Sequence, residues 1–365
     1  MATAMADFTS SLYLGMRHAS TELPSWAALT TGRPAVLEPP PGAVPTAARL
    51  ATLTGAERAV LTRSTLHGLV DCLDVLAGPD VGLAVDAGAY PVAQWAVQRA
   101  VARRTPVVVV GHHEPADLAA AVRRLTGRGL RPVVVADGVC TGCGRSYPLA
   151  SASAQVRPLG GMVLLDDTQG LGILGARPDR VRHPYGHGGG GSVRHAGVGH
   201  AGIVTVSSLA KAFGAPVACA AGPASVLTRV RIAGSAVHSS PPSAVDIAAA
   251  GNALDRNAAA GDALRALLAD RVRALRRCTA EQGLPLLGGL FPVQSTPAVS
   301  VASGRQLLGR LAAAGVCAVL RRACGGGSAV TVVLTVAHRP ADIERVADVL
   351  SAAWRELSGP VKHAR

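Results

Sequence analysis

Lysine amine chemistry has two homes in this chain, because lysine occurs at Lys211 and Lys362 alone while every other one of its 36 basic residues is arginine. Lys211 follows an apolar run in Thr205-Val206-Ser207-Ser208-Leu209-Ala210-Lys211-Ala212-Phe213-Gly214. An amine just beyond a buried strand, preceded by two hydroxyls, has the setting for a lowered pKa and Schiff-base formation. Lys362 sits in a polar tail and reads as solvated. Upstream, Leu164-Leu165-Asp166-Asp167-Thr168-Gln169-Gly170 puts two carboxylates directly after a second apolar run. An acid there can keep the ring nitrogen of a bound cofactor protonated and make that ring an electron sink. Taken singly, Lys211 reads as a surface lysine and Asp166 as a helix N-cap. The pair favours chemistry.

Other reactive types carry less. The seven cysteines are odd in number and spread through the chain, which suits reduced thiols. Cys140 and Cys143 have a CxxC spacing, but a lone pair lacks the ligands of a structural zinc site, so no metal is assigned. His183, His187, His195 and His200 lie among glycines between Arg177 and Gly202, where we expect a mobile, solvated surface loop. Ser64-Thr65-Leu66-His67-Gly68 precedes a helical stretch, and backbone amides at a helix N-terminus suit a phosphate dianion; the simpler reading is a helix cap.

The elements that must position these groups alternate between short apolar runs and amphipathic stretches. Strands are expected at 82–86, 106–110, 132–136, 162–165 and 203–207, with helices at 93–104 and 117–128. Continuous Val/Leu/Ile runs joined by helices predict an α/β fold with a mostly parallel sheet covered on both faces, its reactive groups at the C-terminal strand ends. A long helix is expected over 244–278. It is followed by a compact α+β unit with strands at 298–301, 316–320 and 330–335 and helices at 306–314 and 342–354. Three regions result: an N-terminal arm (1–40), a large domain (41–245) and a small C-terminal domain (246–365).

Composition excludes several classes. With 365 residues and 49% hydrophobic content, the chain is long and apolar enough for sizeable cores, which excludes disorder. No window holds 18 uninterrupted apolar residues, and Met1 to Phe8 does not read as a signal peptide, so no membrane association and a cytoplasmic location are expected. The net charge of +13 would suit nucleic acid or an acidic partner, but 3% aromatic content offers no stacking platform and nucleic acid is not expected.

In order along the chain, these segments resemble the α-oxoamine synthases, pyridoxal-phosphate enzymes of fold type I. Asp7 to Gly15 is similar to their F-x-S-N-x-Y-L-G, and His112-His113-Glu114 with Leu118 to H-N-D-x-x-x-L. Asp137 to Gly144 with Pro148-Leu149 is similar to E-G-V-F-S-M-D-G and its trailing P-L. Asp166 to Gly175 resembles D-E-A-H-x-x-G-x-x-G, Ser208 to Gly214 resembles T-x-x-K-A-x-G, and Val333 to Ile343 resembles L-T-A-A-H-x-x-x-D-I.

The resemblance implies pyridoxal 5'-phosphate as cofactor, Lys211 as its Schiff-base lysine and Asp166 as partner of the pyridine nitrogen. It places Ser208, Ser64, Thr65 and Leu66 near the phosphate, and Thr141 at the serine of F-S-M-D. Ser240 matches a hydroxyl reaching the phosphate of a neighbouring subunit, so a homodimer is implied. It also implies condensation of an amino acid with an acyl thioester, on CoA or an acyl carrier protein, with loss of CO₂. Three positions depart from the pattern. Tyr90 stands where relatives stack a histidine on the cofactor ring, Gln169 replaces the last histidine of D-E-A-H, and Thr331 replaces an arginine that grips a substrate carboxylate. Arg321 and Arg322 are the nearest substitutes for that arginine. Because these positions set reaction type, aminotransfer or simple decarboxylation stays open, as does a non-catalytic paralogue that binds or dimerises.

Overall fold

A computed structural model describes residues 5–358, so Lys362 lies outside the described residues. Two compact units divide the chain. The larger comprises 16–140 and 146–262, and the smaller comprises 5–15, 141–145 and 263–358. The division therefore runs through the long helix rather than before residue 246, and the expected arm is shared, with 5–15 in the smaller unit and 16–40 in the larger.

Chain order begins with β1 (Ala6–Asp7) in the smaller unit and α1 (Ala43–Thr54) in the larger. The larger unit then builds a seven-stranded sheet from β2 (Arg58–Thr62), β3 (Val81–Asp86), β4 (Val107–Val110), β5 (Arg131–Asp137), β6 (Met162–Asp166), β7 (Ile203–Ser208) and β8 (Ala218–Gly222), in the order β2-β8-β7-β6-β5-β3-β4. The five strands from β7 to β4 are mutually parallel, and β8 runs antiparallel to β7 and β2. The expected mostly parallel α/β sheet is what forms.

Alternation along the strands explains why both faces are covered. Leu83, Val85, Val133, Val135, Leu164, Val204 and Val206 enter one buried cluster, while Ala84, Val134, Ala136, Val163, Leu165 and Ile203 enter the other. Side chains of successive residues point to opposite faces, so a run apolar at every position is buried on both sides. The first face is closed by α2 (Thr65–Leu76) and α3 (Pro91–Ala102), the second by α4 (Pro115–Thr126) and α5 (Leu149–Val156). The short α6 (Ser192–His195), α7 (Ala224–Val230) and α8 (Gly234–His238) follow, and then α9 (Ala244–Glu281).

The smaller unit holds β9 (Val293–Ser295), α10 (Val301–Ala313), β10 (Val316–Cys317), β11 (Val319–Arg322), β12 (Ser328–Val333) and α11 (Pro340–Ser358). Its antiparallel sheet has the order β11-β12-β9. The strand expected at 298–301 is reduced to one antiparallel bridge, Val299 with Ser328, because Ser300 caps α10 by accepting from the Ser303 amide at 3.0 Å; the edge strand here is β9, just upstream. The N-terminal motif is stitched to the C-terminal one. β1 pairs in parallel with β10, Val333 N–H donates to Phe8 at 2.8 Å, and Val336 N–H donates to Tyr13 at 2.9 Å. Phe8 stacks on His338 with ring centroids 4.0 Å apart, and a ring nitrogen of His338 meets the Asp7 carbonyl at 2.8 Å. These motif residues hold the fold of their unit.

Candidate active site

Parallel strands end together, and here the shared end carries charge. Asp86, Asp137 and Asp166 are the last residues of β3, β5 and β6, and Asp137 and Asp166 are register partners. Lys211 lies in the turn after β7, partly buried. Burial lowers its amine pKa and Asp166 opposes that shift. Burial likewise raises the Asp166 carboxyl, while hydrogen bonds from Thr168 and the charge of Lys211 pull it back. The two residues singled out first from sequence thus face each other electrostatically inside one unit, which is where Schiff-base chemistry needs them.

Thr168, which the sequence reading did not single out, couples the two strand ends. Its N–H donates to Asp166 Oδ1 at 3.0 Å, and its Oγ1 accepts from the Ser208 amide at 3.1 Å. Gln169 sits partly buried in the same turn. Tyr90 is the N-cap of α3, with Pro91 at the first helical position; its N–H donates to both oxygens of Asp137 at 3.1 Å and its side chain stays 54% exposed.

Helix α2 starts at the expected turn. Ser64 is its N-cap, Thr65 its first residue, and Leu66 is 37% exposed. His67 bridges two segments: one ring nitrogen lies 2.8 Å from Ser64 Oγ and the other 3.3 Å from Ser239 Oγ. Arg63 also donates to the Pro241 carbonyl at 3.1 Å, so this unit brings the exposed Ser240 segment beside the α2 N-terminus.

The His/Gly segment is not the mobile surface loop expected from its composition. Backbone bridges link Leu171 with Gly190 and Ala176 with His187, and His200 is 6% exposed. The segment delivers Ser192 to Asp167, which accepts from Ser192 N–H at 2.8 Å and Oγ at 2.5 Å. Burial pushes the Asp167 carboxyl up to about 7, against these hydrogen bonds. A Cβ at Gly170 or at Gly191, the latter with φ +92°, would collide with that carboxylate. Glycine serves close approach here rather than mobility.

The smaller unit receives the remaining expected residues. Thr141 lies in its 141–145 segment, where Arg321 donates to the Thr141 carbonyl and to its hydroxyl, the latter at 2.8 Å. Arg321 is therefore engaged with Thr141, and Arg322 is exposed. Thr331 is 2% exposed and its hydroxyl meets Ser295 Oγ at 2.8 Å, so this position is part of the sheet interior. Among the described residues the cysteines form no disulfide. Among the described residues, no helix is long and apolar enough to cross a membrane.

Comparison with known proteins gives consistent findings. A family model described as aminotransferase class I and II matches residues 6–350. An 8-amino-7-oxononanoate synthase of Pseudomonas paraeruginosa (strain DSM 24068 / PA7) is 31% identical over 258 residues, covering 68% of this chain and 59% of that protein. The corresponding protein of Yersinia pestis (strain Pestoides F) is 34% identical over 228 residues, covering 60% and 54%. The matched stretches therefore span less than two thirds of these relatives' length. Among solved structures, a Sphingomonas wittichii serine palmitoyltransferase aligns with TM-score 0.84 at 20% identity, covering 97% of this chain and 88% of that one. An 8-amino-7-oxononanoate synthase from Francisella tularensis aligns with TM-score 0.75 at 13% identity, covering 97% and 99%.

Proposed function

Because the chain belongs to the aminotransferase class I and II family, we propose that it is a pyridoxal-phosphate-dependent acyltransferase of the α-oxoamine synthase type, acting on an amino acid and an acyl thioester. The relatives named 8-amino-7-oxononanoate synthase support the reaction type. The observation that carries the reading is the pairing of partly buried Lys211, in the turn after β7, with buried Asp166 at the end of the adjacent strand β6.

The residues present fit the cofactor. Lys211 is the one lysine in the described residues, its amine pKa is lowered, and a buried acid faces it. When bound, pyridoxal phosphate supplies an aldehyde for an incoming amine and a ring that delocalises the electron pair left at Cα. Asp166 holds the proton at the pyridine nitrogen. Lys211 would hold the cofactor through its amine, and that amine would move a proton to and from Cα of the substrate. The amides of Thr65 and Leu66 at the α2 N-terminus, with the Ser64 and Ser208 hydroxyls, bind the phosphate dianion. Tyr90 would cover the ring face and Gln169 would donate to the ring oxygen. The new carbon–carbon bond forms at the thioester carbonyl, the thiol departs, and the substrate carboxylate leaves as CO₂.

A homodimer, with Ser240 reaching its partner's phosphate, and a cytoplasmic location belong to the same reading. The acyl donor is a thioester of CoA or of an acyl carrier protein, whose acidic surface the +13 charge would attract. The test is an absorbance spectrum with pyridoxal phosphate, followed by titration of each common amino acid and assay for CO₂ with an acyl-CoA. Release of CO₂ with a lengthened carbon skeleton supports condensation. An amine form of the cofactor without CO₂ would replace the reading with aminotransfer, CO₂ without chain extension would replace it with decarboxylation, and a colourless protein would leave a binding or dimerisation role.

A further inference from the structure

The three strand-end carboxylates are compensated unequally. Asp86 accepts from Gly88 N–H at 2.7 Å and from His113 N–H at 2.9 Å, and its Oδ1 lies 2.6 Å from His112 Nδ1. Asp166 is held by Thr168 and faces Lys211. Asp137 stands, partly buried, on the strand between them, and its one donor among the described residues is the Tyr90 amide. The groups that face it are Asp166 on β6, Asp86 on β3, and His112 beyond β4. The partners on this row thus stand at its two ends, Lys211 beside Asp166 and the imidazole of His112 beside Asp86. Like-charged carboxyl groups side by side in a buried site do not ionise together; one keeps a proton.

We propose that Asp137 is a proton-holding positioning residue: it keeps the carboxyl proton of the Asp137–Asp166 pair, so that Asp166 is the anion offered to the cofactor. The cofactor part of this assignment rests on the function proposed above; the location of the proton does not. Two further observations agree with it. Burial first, and then the charge of Asp166, push the Asp137 carboxyl up to about 8, with Asp86 adding to the rise and the Tyr90 amide and His112 opposing it. The Tyr90 amide also ties Asp137 to the start of α3, so the ionisation of one side chain reaches both the ring-facing Tyr90 and the nitrogen-facing Asp166. At neutral pH Asp137 is then mostly the neutral acid, by about ten to one for a group one unit below its pKa. Above that pKa a second negative charge appears beside Asp166 and strengthens the hold on a proton at the pyridine nitrogen.

Infrared difference spectroscopy of the cofactor-free protein, wild type minus Asp137→Asn, reads the proton directly. Asparagine keeps an oxygen to accept from Tyr90 and cannot ionise. The expected result is a protonated carboxyl C=O band in the difference at pH 7 that is lost with a midpoint near 8. A carboxylate band at pH 7 overturns the proposal. If Asp137→Asn does not fold, Asp137→Ser provides the same subtraction. With pyridoxal phosphate loaded, the absorbance spectrum of wild type should carry a pH-dependent change with the same midpoint, which Asp137→Asn lacks; an identical pH profile in the two proteins overturns the coupling to Asp166. Failure of either protein to take up the cofactor would count against the proposed function and leave the infrared result to decide where the proton sits.

Discussion

Two sets of motif residues, equally prominent in the sequence, end in opposite physical situations. In the smaller unit Phe8 and His338 stack on each other, and His338 meets the Asp7 carbonyl with one ring nitrogen while the other accepts from the Thr335 amide at 3.0 Å. In the larger unit buried Asp166 and partly buried Asp137 end neighbouring strands, with partly buried Lys211 in the turn after β7, and burial works against the charge of each. A recurring motif therefore marks either a packing solution or a chemical site, and what separates them is whether burial has been made easy or costly for the group concerned. Buried ionisable groups with shifted pKa values cluster at functional sites, whereas matched neutral pairs stabilise.

The contrast can be broken by substitution. The largest effect belongs to Lys211→Ala, which should remove the borohydride-reducible adduct and lower turnover by at least about 10²–10⁴-fold, the scale of a positioned acid/base, while leaving the thermal midpoint close to wild type. Asp166→Asn follows, with a loss of about 10²–10³-fold in turnover, the scale of one preorganised electrostatic contact, read against an intact fold by circular dichroism. Phe8→Ala should reverse the pattern, costing about 3–5 kcal/mol of stability for a buried aromatic and leaving the cofactor spectrum of the folded protein unchanged. If Phe8→Ala altered that spectrum, or Lys211→Ala unfolded the chain, the distinction between the two regions would fail.

A smaller effect comes from pH. Asp137 has its carboxyl raised in the folded chain, so between the unfolded value near 3.8 and the folded value near 8 the native state binds more protons than the unfolded one. Stability contributed by that group is therefore greatest below the unfolded value and is lost as pH rises towards 8. Asp137→Asn should lose less stability than wild type over that window, measured as thermal midpoints across pH; parallel curves would contradict the assigned ionisation. Ser192→Ala comes last. Removing one of two donors to Asp167 should cost about 1–3 kcal/mol, the range for a buried polar group left short of a partner, detectable by urea unfolding.

What could be read in advance follows from the range of the interactions. Strands β3 to β7 were legible because each is a local, uninterrupted apolar run, and Lys211 was legible because lysine is so scarce. The strand near 298–301 was misplaced because Ser300 and Val301 also suit a helix start, and only pairing with β12 identifies β9 as the edge. Thr168 and Ser192 escaped notice because their partners, the Ser208 amide and Asp167, lie 40 and 25 residues away. The His/Gly segment was misjudged for a related reason: glycine count signals mobility only when nothing needs to approach the backbone closely, and here the Asp167 carboxylate does.

The central claim is that Lys211 and Asp166 form one cofactor site. Absorbance spectroscopy of the purified protein with pyridoxal phosphate, wild type beside Lys211→Ala, tests it most directly. The account predicts a visible band in wild type that borohydride fixes at Lys211, with no such adduct in the variant. An unchanged band and adduct in Lys211→Ala, or no band in wild type, would contradict it.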